Sequence, residues 1–424
     1  MDYTKKDTAD LGGIIGHLSG KYETLSRRNL ILDMTRGKPS AEQLDLADAI
    51  LNIVGPGETR GKKGVDYRNY GIGDGIPEAK RLFADMMGVT PEEIIVAGNA
   101  SLTLMYDTLA AAVLFGMPGG NGPWKDQGQV TVLCPVPGYD RHFAICERLG
   151  LNMVAVPMND DGPDMDVIEG LVAGDASIKA IWCVPKYSNP SGATYSDNVV
   201  DRLATMKVAA PDFRILWDNA YTVHHLGSGP AELKNILTAC RDAGNEDRPL
   251  MFGSTSKITH AGSGVAVMAG SRTNIADATE KMSFATIGPD KINQLRHVRF
   301  FGNMEGMLKH MEAHAKLLTP RFNAVNEALE KNLAGKGIAT WTKPEGGYFV
   351  SVDVLEGCAT EIVRLAGEAG VKLTPAGATF PYGKDPKDSN IRLAPTMPSV
   401  DEITQAMEVF CACVELACTR KLAE

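Results

Sequence analysis

The sequence predicts an α/β fold: a large domain with a mainly parallel sheet between helices, and a smaller α+β domain. Three observations carry that expectation. From Ile94 to about Gly270, short β-branched runs alternate with helical stretches, the pattern of a parallel sheet covered by helices. The strand segments are near-continuous apolar runs rather than alternating ones, as expected when both faces are buried. After about residue 305 the alternation stops, and a long helical stretch is followed by short strands. The chain has 424 residues, and at roughly 100–200 residues per domain that suggests two or three. The expected division is 51–305 for the large domain and 306–424 for the small one. Residues 1–50 are expected to join the small domain, since they precede the large sheet and lack its alternation.

Taken in order, strands are expected over 94–97, 130–134, 153–156, 180–184, 214–217, 251–253 and 265–269. Helical periodicity lies between them, as over 165–172, 197–206 and 231–240. The segment 116–128 is rich in glycine and proline and reads as a surface loop. In the last third a helix is expected over 307–333, then strands near 339–341, 348–352, 372–374 and 391–394. Ser399 and Glu402 have capping-box spacing, in which each side chain satisfies the other residue's orphan amide. Ile403, Met407, Phe410, Val414 and Ala417 then form one buried stripe of a closing helix.

Composition narrows the function. The net charge of -9, with both signs interspersed, argues against a nucleic-acid groove. The N-terminus shows no apolar core of a signal peptide. The longest apolar candidate, 104–117, is interrupted by Tyr106, Asp107 and Gly116, too soon to span a bilayer. A cytoplasmic protein without membrane partners is therefore expected. The eight cysteines are scattered and include no C-x-x-C pair, which fits reduced thiols packed as small hydrophobes. No metal site is expected: Cys411 and Cys413 are two apart on a helix, and His224 and His225 are adjacent, so each pair points apart.

Four fragments carry the chemistry. Lys257 ends Ser254-Thr255-Ser256-Lys257. Upstream stand Asn189-Pro190-Ser191-Gly192 and Asp218-Asn219-Ala220-Tyr221, and downstream Asn390-Ile391-Arg392. Each answers one need of a pyridoxal-phosphate enzyme: a lysine for the Schiff base, a carboxylate for the pyridinium proton, an arginine for a substrate carboxylate. Lys257 and Asp218 follow apolar strands, where α/β folds place their sites. Tyr221 and the Asn189 amide can donate to the ring's 3-oxygen. Gly98-Asn99-Ala100-Ser101 joins a strand to a helix N-terminus, which offers free amides to a phosphate. Ser254 and Ser256 can add hydroxyl donors. Singly, each fragment has a plainer reading: a solvated lysine, a helix-capping aspartate, a core tyrosine, an Asn-Pro turn, an exposed strand arginine. Their order and combination favour the cofactor.

With those residues in place the chain resembles the fold-type I pyridoxal-phosphate aminotransferases of the class I/II superfamily. It is most similar to the divergent bacterial branch of aspartate aminotransferases. The resemblance runs from about Asp33 to the end and includes Thr35-Arg36-Gly37-Lys38-Pro39, Tyr70-Gly71, Cys134-Pro135-Val136-Pro137-Gly138-Tyr139, 286–295, and Pro344-Glu345-Gly346-Gly347-Tyr348-Phe349. It implies the PLP-transferase fold and a reversible, ping-pong transfer of the amino group from L-aspartate to 2-oxoglutarate. It implies that Lys257 bears the cofactor and shuttles the α-proton, and that Asp218 pairs with the ring nitrogen. Asn189 and Tyr221 would hold the 3-oxygen, and Tyr139 would stack on the ring. Gly98, Asn99, Ala100, Ser101, Ser254 and Ser256 would hold the phosphate. Tyr70 would reach the phosphate of a neighbouring subunit, hence a homodimer with shared sites. Arg392, Asn189 and the Gly37 amide would take the substrate's α-carboxylate.

One family residue is missing. The arginine expected eight positions after the lysine is Val265, a loss this branch shares; either another cation, with Lys186 a candidate, replaces it or phosphate binding relies on amides and hydroxyls. For the substrate side chain, Arg36, Lys291 and Arg296 are candidate cations and Asn293 a candidate amide. An aromatic or alanine aminotransferase, or a carbon–sulfur lyase, remains the alternative. An aminotransferase-like transcription regulator would need a basic DNA-binding segment before Thr35, and only about 30 residues stand there.

Overall fold

The computed structural model describes residues 1–62, 64–227 and 229–424. Its strands are, in chain order, β1 (Leu32–Asp33), β2 (Ile94–Val96), β3 (Thr131–Val136), β4 (Asn152–Asn159), β5 (Gly162–Pro163), β6 (Ile178–Cys183), β7 (Arg214–Asp218), β8 (Pro249–Ser254), β9 (Ala266–Gly270), β10 (Ala339–Trp341), β11 (Val350–Val354), β12 (Val371–Lys372) and β13 (Asn390–Leu393). The large sheet has the order β2-β9-β8-β7-β6-β3-β4-β5. Strands β8, β7, β6, β3 and β4 run parallel, so the mainly parallel sheet read from the sequence is present. All seven of its expected strands are found.

Strand β9 runs antiparallel to both β8 and β2. The reason is local. A parallel return needs a crossover, usually a helix. The link from β8 to β9, residues 255–265, contains no helix, so the chain turns straight back. That tight link carries Lys257. Because β2 is reversed twice relative to β8, it runs in the same direction. The C-terminal ends of β2, β3, β6, β7 and β8 therefore share one edge of the sheet, the edge at which α/β folds bind ligands.

Every residue of β6 and β7 is buried, as their apolar runs predict. Alternate residues serve opposite faces. Ile181, Cys183, Ile215 and Trp217 join one core with Phe83 and Met251. Ala180, Trp182 and Leu216 join the other with Leu104 and Phe252.

A third core lies beyond the sheet. Strands β10, β11 and β13 form an antiparallel sheet, and β1 pairs in parallel with β12. Leu18 and Leu25 of the helix Thr8–Ser26 pack there with Phe410 and Val414 of the closing helix Val400–Ala423. Ser399 and Glu402 form the expected capping box. The 30-residue helix Met304–Leu333 serves two cores: Met307 and Met311 join that of the large sheet, while Leu318, Phe322 and Leu329 join the third.

Some boundaries differ from expectation. The helix expected over 231–240 is Ile236–Asp242, because the Asn235 side chain accepts from the Thr238 amide and fixes the start there. The Ala231 amide is instead tied to the Tyr187 hydroxyl at 3.1 Å. Helix Thr8–Ser26 carries Gly12, Gly13, Gly16 and Gly20, which hid its periodicity. All eight cysteines are buried and free. Among the described residues, no helix is long and apolar enough to cross a membrane.

Candidate active site

A cavity of about 660 Å³ opens at the shared strand edge, bounded by β12 and β13 on its far side. Ser101, Tyr139, Asn189, Asp218, Tyr221, Lys257, Gly37 and Arg392 all line it. Residues spread across most of the chain thus meet in one place.

Lys257 follows β8 on the turn back to β9. Its carbonyl accepts from the Tyr348 hydroxyl at 3.3 Å, and His224 Nε2 lies 3.3 Å from the same oxygen. A carbonyl can only accept, so Nε2 carries the proton. The Lys257 ammonium sits 5.1 Å from the Tyr221 ring centre. Burial lowers its pKa from the ordinary 10.5, opposed by the negative charge of Asp218. The net direction favours the free amine, the form that attacks a carbonyl.

Asp218 ends β7 and is 2% exposed. His142 Nε2 donates to its Oδ2 at 3.0 Å, while its Oδ1 is buried without a partner among the described residues. A buried carboxylate oxygen is rarely left bare, and a cationic ring N–H would complete it. The His142 ring stacks on Trp182, 4.1 Å between centres and 5° from parallel. Sequence reasoning did not single out His142, which the structure places against Asp218. It stands three positions after Tyr139, where the helix Asp140–Arg148 begins, and that spacing puts both rings on one face. The two rings meet edge to face at 5.0 Å.

Burial pushes the Tyr139 phenol up to about 12, helped by the charges of Asp218 and Asp140. Burial likewise raises Tyr221 well above the usual tyrosine value. Both therefore stay protonated and keep a hydrogen to donate. Asn189 Oδ1 accepts from Arg392 Nη1 at 3.3 Å, which leaves the amide nitrogen as the free donor.

Arg392 lies on β13, 6% exposed, with its guanidinium 4.9 Å from the Phe349 ring centre. Gly37 packs against the tip of that ring: a Cβ at residue 37 would fall 2.5 Å from Phe349 Cζ. Only glycine fits there without moving the ring beneath the arginine.

The phosphate candidates gather at one end. Helix Ser101–Phe115 starts with Ala100 as N-cap and no side-chain cap, so its first amides are open. Ser254 Oγ donates to Ser256 Oγ at 3.1 Å, and Ser256 Oγ donates to the Asn99 carbonyl at 3.1 Å. Gly98, with φ of 71°, accepts from the Ala266 amide at 3.1 Å. Gly98, Asn99, Ala100, Ser254 and Ser256 thus stand together beside Ser101, which alone of the set lines the cavity.

Other candidates fall elsewhere. Val265 is in the core, its amide donating to Thr255 Oγ1 at 2.9 Å. Lys186 is buried off the cavity beside Tyr187 and within reach of Glu232, its pKa lowered to about 8 by burial. Tyr70 is 79% exposed and does not line the cavity. Of the side-chain candidates only Arg36 lines it. Asn293 Nδ2 is spent on the Ser263 and Gly264 carbonyls, and Lys291 is buried against Pro289. Lys38, Arg141 and Lys372 line the cavity unforeseen. The bare Asp218 oxygen, the amine-favouring Lys257 and the open helix end fit a phosphate-bearing pyridine.

Comparison with known proteins agrees. The description of the aspartate amino-transferase family matches residues 4–424. An aspartate aminotransferase of Corynebacterium glutamicum is 45% identical over 411 residues, 97% of this chain and 95% of that one. The crystal structure of an aspartate transaminase from Corynebacterium glutamicum superposes with a TM-score of 0.98 at 44% identity, covering 100% of this chain and 99% of the other. An α-aminoadipate aminotransferase from Thermus thermophilus, complexed with N-(5'-phosphopyridoxyl)-L-leucine, shares the fold at a TM-score of 0.73 and 21% identity, over 94% of this chain and 96% of that one. With its fold, its cavity and its sequence all in agreement, this chain belongs to the aspartate amino-transferase family.

Proposed function

We propose that the protein is a pyridoxal-phosphate-dependent aspartate aminotransferase, moving an amino group between L-aspartate and 2-oxoglutarate. The observation that carries the reading is the cavity with Lys257 and the half-satisfied Asp218 on one side and Arg392 on the other. Bound pyridoxal phosphate supplies a carbonyl for amine capture and a ring that accepts electrons as the Cα–H bond breaks. The chain does the rest. The Lys257 amine would take the α-proton from the substrate and deliver it to the carbon that was the cofactor's carbonyl. Asp218, braced by His142, holds the ring nitrogen proton. Asn189 and Tyr221 would donate to the ring 3-oxygen, and Tyr139 would stack on the ring. Ser101, with Gly98, Asn99, Ala100, Ser254 and Ser256 beside it, would hold the phosphate. Arg392 grips the α-carboxylate, aided by the Gly37 amide.

The second carboxylate of aspartate needs another cation, and Arg36 and Arg141 line the cavity without a carboxylate partner among the described residues. The protein is proposed to act as a homodimer. Exposed Tyr70, Phe284 and Ile287 support this, since the Gly71 amide bonds to the Ile287 carbonyl and holds the two segments together. Tyr70 of the partner subunit would then complete the phosphate site. Residues 51–305 are taken as the large domain, and 1–50 with 306–424 as the small one, on the strength of the core shared by the first and last helices.

The test is the visible spectrum of the purified protein with pyridoxal phosphate. Loss of the lysine-bound band with L-aspartate, and its return with 2-oxoglutarate, is expected. A band unmoved by aspartate but shifted by aromatic, alanine or sulfur-bearing substrates would overturn the substrate assignment. No band at all would overturn the reading of Lys257.

A further inference from the structure

Arg392 is a buried cation, and the chain supplies its counter-ion. Asp140 Oδ1 accepts from Arg392 Nη1 at 2.9 Å, across 252 residues of sequence. The Asp140 side chain is 36% exposed, against 6% for Arg392. It is the first residue of the helix Asp140–Arg148, where the helix dipole favours a negative charge. The rest of the fork is nearly unpaired. Among the described residues Nη2 has only a long bond to Thr374 Oγ1 at 3.5 Å, and Nε is buried with no partner.

We propose that Asp140 is an internal stand-in for the substrate carboxylate, a positioning residue that sets the affinity of the site for every carboxylate-bearing substrate. The inference rests on Arg392 being the α-carboxylate site. A buried guanidinium without a counter-ion is strongly unfavourable. In the substrate-free site Asp140 removes that penalty and fixes the fork, which in turn holds Asn189 Oδ1 and aims the Asn189 amide. An incoming carboxylate finds the Nε–Nη2 edge, which offers two parallel donors that Asp140 does not use. It then shares one positive charge with Asp140. Two carboxylates on one guanidinium repel each other, so binding is weaker than a lone arginine would give, and release is easier.

Asp140→Asn keeps the shape and an accepting oxygen but removes the charge. The holoenzyme and this variant are titrated with succinate by calorimetry, which requires no turnover. Steady-state kinetics with L-aspartate and 2-oxoglutarate follow. Since like-charge juxtaposition is strongly disfavoured, the Kd for succinate and both KM values should fall about tenfold, with kcat moving by the smaller factor. Asp140→Glu retains the charge and should bind succinate like the wild type. An unchanged or higher Kd in a folded Asp140→Asn protein overturns the inference. Arg392→Met separates the two levels of failure. If it binds succinate as well as the wild type, the reading of Arg392 has failed. If it loses binding while Asp140→Asn gains none, only the role of Asp140 falls.

Discussion

His142→Phe isolates the bond that braces the carboxylate beneath the cofactor. His142 is 1% exposed and Asp218 2%, so neither has water to replace a lost partner. Phenylalanine keeps an aromatic ring against Trp182, where the histidine lies 4.1 Å away and nearly parallel. It removes only the Nε2–H that Asp218 Oδ2 accepts at 3.0 Å. Neither Asp218 oxygen then has a partner among the described residues, since Oδ1 already lacks one. A hydrogen bond to a charged group contributes about 1.5–3 kcal/mol. At 1.4 kcal/mol per factor of ten, that predicts about ten- to a hundredfold weaker pyridoxal phosphate binding and a similar loss in kcat/KM for aspartate. The assay titrates apoenzyme with pyridoxal phosphate, following the visible band, and then measures initial rates with L-aspartate and 2-oxoglutarate. His142→Gln, which keeps a donor, should fall between the two. A His142→Phe enzyme within twofold of wild type in both quantities would show that Asp218 does not depend on this bond.

Other expectations follow from the same geometry. Lys257→Ala should abolish turnover while far-UV circular dichroism stays unchanged; residual activity near wild type would refute the role of Lys257. Arg392→Lys replaces a planar fork with a point charge and should lower kcat/KM about a hundredfold, read by steady-state kinetics. Gly37→Ala would press on Phe349 and through it on Arg392, so KM for aspartate should rise and overpacking should cost about 1–3 kcal/mol, read by denaturant unfolding. Stability should fall in mild acid. Burial holds His297 and His314 at about 4 against an ordinary 6.5. Between those values the unfolded chain binds protons that the folded chain refuses, so stability rises with pH there and is lost as pH falls from 6.5 toward 4. Each contributes a loss of about 1.4 kcal/mol by pH 5.5. A melting temperature constant from pH 7 to pH 5 would contradict this.

The sequence by itself determined what depends on near neighbours. The apolar runs of β6 and β7 announce strands buried on both faces, and Ser399 with Glu402 marks the start of the closing helix. Lys257, Asp218, Asn189 and Arg392 were legible because each stands in a short fragment whose residue types suit one chemical task. The glycines of Thr8–Ser26 concealed a helix whose stability comes from packing on the last one. The tertiary structure alone decided the pairings. It set His142 under Asp218, Asp140 against Arg392 and Phe349 against Gly37, and it left Lys186, Lys291, Asn293 and Arg296 off the cavity. The physical reason is range. Propensity, capping and periodicity act over a few residues. Whether a buried charge finds its partner depends on strand order, and the order β8-β7-β6-β3 is fixed by the packing of side chains far apart in the chain.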